Sequence, residues 1–157
     1  MAKKTFRSRV SVLLLLFITT TVSFPMIFII RPGNILNPTL YMLVGTLIFC
    51  YAIIFGMSYT ITEGRLLIKI LGIKYGRLEI SEIISVERSY NPLSSPAASL
   101  KRLCIHFKKS SKIKWPYCLI SPIREQEFLE TLKEINPNIY IRVTNKKGKL
   151  RIWNWDI

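Results

Sequence analysis

Two long apolar stretches come first in the chain, and short alternating ones follow. Val10 to Ile30 runs for 21 residues without a charge, between Arg9 and Arg31. Pro32 to Thr62 is a second uncharged stretch, of 31 residues, most apolar near Leu40 to Met57. Neither shows a polar face, and about 20 apolar residues suffice to cross a bilayer core. The pattern predicts membrane-spanning helices at 10–30 and 40–57, because a chain of 157 residues offers too little protein to bury both. The segment 31–39, "RPGNILNPT", is a short external loop, so the helices form an antiparallel hairpin. The first run is longer than the roughly 7–15 residues of a secretory signal core and has no small-residue cleavage site, so it is expected to stay.

From Ser58 the period changes to two. "YTIT", "RLLIKI", "GIKYGRLEI", "IISVERSY", "RLCIHF" and "IKWPYCLI" read as six short strands with tight turns such as "EG" and "KKSSK". "NPLSSPAASL" interrupts them with prolines, alanines and serines, the composition of an exposed loop. Ser95, Pro96, Ser99 and the following Arg102 are the candidate interaction loop. The competing view is that Ser95 and Ser99 only cap backbone groups and hold its shape. "SPIREQEFLETLKEINP" is one amphipathic helix. Ser121 is its expected N-cap, Pro122 its first residue, and Asn136-Pro137 its stop. Phe128, Leu132 and Ile135 share its apolar face. Strands followed by one such helix predict a mainly-β domain over 58–137, a small curled sheet or barrel capped by the helix. Residues 138–157 read as a basic hairpin about "NKKGK".

Charge orients this architecture. The formal net charge is +14, from 23 basic and 9 acidic side chains. Lys3, Lys4, Arg7 and Arg9 form a basic tail, 1–9, before the first apolar run. Arg65, Lys69, Lys74 and Arg77 follow the second, and the loop between has Arg31 alone. Positive flanks mark the cytoplasmic side, which predicts a multi-pass membrane protein with both termini in the cytoplasm. Three cysteines without metal-type spacing suit a reduced compartment. A hairpin centred near Ser111 would set Cys104 opposite Cys118, a possible bridge, although two ordinary buried thiols are preferred.

From Glu63 onward there are 18 basic against 9 acidic residues. Nucleic acid fits this poorly, since the one helix carries four glutamates. An anionic bilayer surface fits better, through weak nonspecific contact. Lys146, Lys147, Lys149 and Arg151, with Trp153 and Trp155, are the candidate membrane-surface contacts. The alternative for them is a solvated basic face. No catalytic, metal-binding or cofactor-binding set is proposed. His106 is the single histidine, Asp156 the single aspartate, and the seven glycines are scattered.

Two segments carry a family resemblance. Ser95, Pro96, Ala97, Ser99, Arg102 and Leu103 form the first; Ile120, Ser121, Pro122, Phe128, Leu132, Asn136 and Pro137 form the second. Together they resemble the bacterial pleckstrin-homology (PH) domain family of the YyaB-like type, over roughly Ser58 to Ile139, including members with two N-terminal transmembrane helices. The family often has an acidic residue where Lys101 stands here. The resemblance implies a PH-like barrel capped by a helix and no known reaction. The function expected is a membrane-anchored interaction module, binding a protein partner, the anionic membrane surface or both. The alternative is a self-immunity protein against a bacteriocin, since related membrane-anchored proteins include such proteins.

Overall fold

The computed structural model describes residues 3–29, 37–89, 99, 101–108 and 117–144. Its elements, in order, are β1 (Lys4–Arg7), α1 (Val12–Ile29), α2 (Pro38–Phe55), β2 (Met57–Thr62), β3 (Arg65–Ile70), β4 (Ile73–Glu79), β5 (Ile83–Ser89), β6 (Arg102–Phe107), β7 (Tyr117–Ile120), α3 (Glu125–Ile135) and β8 (Tyr140–Arg142). A single 3-10 turn, Ile80–Glu82, joins β4 to β5.

α1 and α2 are each 18 residues long, with mean hydropathies of 2.4 and 1.9. At about 1.5 Å per residue each is about 27 Å long, close to a bilayer's hydrocarbon thickness of about 30 Å. Only Ile54 is buried in α2, and nothing is buried in α1, so neither is a core helix. Asn37 caps α2 by accepting from the Thr39 amide, and Pro38 opens it. The hydroxyls of Thr19, Thr20 and Thr21 donate to carbonyls four residues back, so α1 leaves these polar groups satisfied without water. Thr19 also meets the Tyr51 hydroxyl across the pair.

The strands make two antiparallel-dominated sheets, β1-β2-β3-β4 and β7-β6-β5-β8. They are not closed into a barrel, which corrects the barrel expected from the alternating pattern. The core lies between them, with Tyr59 and Leu66 from one sheet, Val86 and Ile105 from the other, and Phe128 and Leu132 from α3, all fully enclosed. Two-residue turns with positive φ at both positions, Glu63-Gly64 and Leu71-Gly72, join β2 to β3 and β3 to β4.

β1 comes from the segment the sequence presents only as a charged flank. It pairs antiparallel with β2, Phe6 opposite Tyr59 and Arg7 opposite Ser58. Phe6 enters the core edge-on to Phe128, with ring centroids 5.3 Å apart. α1 and α2 therefore sit as an insertion between two neighbouring strands of one sheet. β1–β2 is thus the first strand pair of the domain, ahead of the Glu63-Gly64 turn.

One further expectation changes, and two segments are specified more closely. α3 starts at Glu125 with Arg124 at the N-cap position, not at Ser121-Pro122. Pro122 instead bridges to Ser8, and Ser121 turns its hydroxyl inward. The β6–β7 register sets Cys104 opposite Leu119 and Cys118 opposite Ile105, so the two cysteines are staggered and all three thiols are free. The Tyr140 arm of the expected C-terminal hairpin becomes β8 and runs parallel to β5. The other arm lies outside the described residues.

Candidate functional site

The structure is richest in specific contacts where the two sheets meet the helical pair. β1 continues as Ser8–Arg9, and this segment ties the sheets together. The Ser8 amide donates to the Met57 carbonyl at 3.1 Å, the Arg9 amide to Ser121 at 2.6 Å, and the Ile123 amide to Arg7 at 3.0 Å. Beneath it the Ser8 hydroxyl lies 3.1 Å from the Tyr59 hydroxyl and 3.2 Å from that of Ser121. The Ser121 amide donates to the same Tyr59 oxygen at 3.2 Å. Burial raises the Tyr59 pKa above its ordinary value, against the lowering effect of these bonds. The neutral phenol is thus the form this junction holds. Just beyond, Val10 and Ile54 are buried together, with Leu14, Leu15, Ile18 and Met57 against them. This small apolar knot joins the helix ends to the domain.

Beside the junction is a shallow cleft lined by Arg9, Lys101 and the run from Ile123 to Glu127. Arg9 donates to the Ile123 carbonyl, and Arg124 donates to Thr5 and pairs with Glu127 at 3.0 Å. Arg124 also lies over the Phe6 ring, 5.3 Å from its centroid. Behind the cleft, Arg88 makes a two-pronged pair with Glu125 and is almost fully enclosed. Its Nε has no hydrogen-bond partner among the described residues. The fork locks the start of α3 onto β5. The arrangement offers a rim of both charges around the half-exposed Ile123, a chemistry suited to a peptide segment.

Of the loop chosen from the sequence, Ser99 and Arg102 are buried, and Ser95 and Pro96 lie outside the described residues. The Ser99 hydroxyl accepts from the Lys101 amide at 3.0 Å, and Arg102 Nε donates to the Ser99 carbonyl at 2.5 Å. Burial pulls the Arg102 pKa down from its usual value. Both contacts run to backbone groups within 99–102. Lys146, Lys147, Lys149, Arg151, Trp153 and Trp155 lie outside the described residues.

The basic run after α2 is divided by the strands that carry it. Arg65 and Arg77 both bond Glu79 Oε1, at 3.1 and 3.0 Å. The Arg77 bond, with the nearby charge of Arg65, holds the Glu79 carboxyl below its ordinary value. Arg65 faces Thr62 and Glu79, at the end of the sheet remote from α2. Lys69 and Lys74 face each other near the other end, where Ile70 pairs with Met57. Six residues of strand separate Arg65 from Leu71, about 20 Å. For Arg65 that is more than twice the Debye length of about 8 Å, and Arg77, opposite Leu67, is about 13 Å away, so Lys69 and Lys74 are the two of the four nearest the helix ends.

His106 is half-buried and faces outward beside Tyr117, 6.4 Å between ring centroids. Cys104 Sγ is 3.4 Å from its Nε2. Burial raises both soluble-domain thiols, and Cys118 is pushed up to about 12. Among the described residues no three His, Cys, Asp or Glu side chains gather as a metal set would require.

Comparison with known proteins places the domain. The sequence model of the family described as Bacterial PH domain matches residues 57–136. No curated protein matches, and no solved structure does.

Proposed function

We propose that this chain, which belongs to the bacterial PH domain family, is a membrane-anchored PH-like interaction module that recognises a protein partner at the membrane surface. The observation that carries the proposal is the insertion of the helical pair between β1 and β2. A helix inside a soluble core would be buried, and these are not. A removable leader would take β1 with it, yet β1 supplies Phe6 to the domain, and Ser8 directly after it is buried too. Two apolar helices whose ends return to adjacent strands fit a hairpin through a bilayer with the domain fixed beneath it. Arg7, Arg9, Lys69 and Lys74 stand at the domain end of the helices, and in the sequence Arg31 is the one charge between them, which favours a cytoplasmic domain in a bacterial inner membrane.

The cleft beside Arg9 and Ile123 is the proposed partner site. Its rim of mixed charge and one exposed aliphatic side chain is chemistry for a peptide, and no catalysis is part of this function. A photo-crosslinking residue at Ile123 should give a discrete protein adduct in intact cells. The same residue at Glu134, exposed on α3, should give none. Identical adduct patterns from both positions, or none at Ile123, would remove the cleft as a partner site.

A further inference from the structure

The β3–β4 turn is apolar where hairpin turns are usually polar. Two-residue turns with positive φ at both positions favour Asn-Gly or Asp-Gly. Here the first residue is Leu71, at φ 52°. A bulky side chain in the left-handed region is a costly choice, and such outliers point toward function. Leu71 does not use the conformation to reach the core, since half of its surface is exposed (50 %). Ile73 and Tyr75 beside it are exposed to 73 and 69 %. The register shifts between Ile68 and Lys69, where Gly76 and Lys74 are the successive partners on β4. Tyr75 is therefore the extra residue of an edge bulge, a device that re-aims a side chain.

The turn's position gives this surface an occupant. The Leu71 amide donates to the Gly56 carbonyl at 2.9 Å, immediately after α2 ends at Phe55. A Cβ added at Gly56 would stand 2.5 Å from Leu71 Cδ2, so helix end and turn are in direct contact. Phe55 is itself exposed there. The apolar end of α2 and the apolar turn are thus neighbours. Lys69 and Lys74 lie directly opposite each other just behind it. Like charges so paired repel within the protein and are relieved by an anionic surface.

From this geometry we infer that the β3–β4 turn is a membrane-interface anchor. Leu71, Ile73 and Tyr75 enter the headgroup–acyl boundary, and Lys69 and Lys74 sit on anionic headgroups. The inference rests on the membrane-spanning role of α1 and α2. The occupant is the lipid surface itself.

The test uses the full chain with Cys50, Cys104 and Cys118 changed to Ala, in vesicles containing phosphatidylglycerol. Single nitroxide labels are placed through Ile73→Cys, Glu63→Cys and Phe49→Cys. Oxygen, which concentrates in lipid, should dominate relaxation at positions 73 and 49. A water-soluble nickel complex should dominate at position 63, on the remote turn. Adding Lys69→Glu and Lys74→Glu should shift position 73 toward the nickel complex. A nickel-accessible label at 73 with an oxygen-accessible one at 49 overturns the anchor and leaves the helices in the membrane. Nickel access at 49 as well overturns the membrane-spanning role too. Shielding of 73 from both reagents means contact with a second copy, and also overturns the anchor. A benzoylphenylalanine at position 73, with the cysteines intact, provides a check that needs no cysteine removal. Phospholipid adducts are expected, and protein adducts alone would overturn the inference.

Discussion

Tyr59 shows how much a single hydroxyl can organise here. It receives the Ser121 amide and meets Ser8, so Tyr59→Phe strands two buried polar partners. The loss should be about 1–3 kcal/mol of unfolding free energy, measured by denaturant titration in detergent. The sign of its pH effect follows from the raised pKa. Above pH 10 the unfolded phenol loses its proton while the folded one keeps it, so stability falls as pH rises further. Cys118 should behave in parallel. With its pKa at about 12, its thiolate is scarce near neutrality, and iodoacetamide should label it far more slowly than a free cysteine peptide at pH 8. Fast labelling in the folded chain would mean that this half of β7 opens. Ser121-Pro122 reads as a helix start because an N-cap serine and a first-turn proline look the same in any sequence. Ser8, 113 residues away, draws the serine inward, and no local pattern carries that. The positive φ of Leu71 was equally hidden, since only the two-residue spacing between β3 and β4 implies it.

Among the elements, β2 to β7 and α3 were legible because each pairs or packs with a neighbour close in sequence. α3 also shows its apolar face by period, and Leu132→Ala should cost about 2–5 kcal/mol, read from the same titrations. β1 was not legible. Four residues with one core side chain, Phe6, leave almost no periodic signal, and the charges around it point to a flank. Its partner strand begins only after both helices. Phe6→Ala should nevertheless cost about 3–5 kcal/mol, as much as a substitution at the centre of the core. A sharper test uses two shortened chains. Residues 57–157 alone lack β1 and should fail to fold cooperatively. A chain in which residues 10–56 are replaced by a short glycine-rich link should fold and remain soluble, since Ser8 and Met57 already lie within hydrogen-bonding reach. Equal folding of both would show β1 to be dispensable.

At the scale of the whole molecule, hydropathy made the helical pair plain, and charge is what the proposed direction rests on. What the sequence concealed was that the basic residues do not act together. Strand geometry carries Arg65 to one end and Arg77 to mid-strand, where both bond Glu79, and leaves Lys69 and Lys74 near the other end. Topology reporters fused at Met1 and at Ile157 should register the same side, the cytoplasmic one; opposite sides would separate β1 from β2 and contradict the fold. The β1–β2 pairing therefore sets a parity rule on biogenesis. Two crossings, or none, leave the strands where they can meet, and a single crossing puts a bilayer between Phe6 and Phe128. A nascent chain that inserts only α1 cannot complete its first sheet, whatever the rest of the domain does. Arginines placed in α2 to block its insertion should thus yield a protein that quality-control proteases clear, even though every residue of 57–144 is unchanged. On the proposed membrane reading, a copy with a single crossing lacks its first sheet and with it any surface on which to engage a partner.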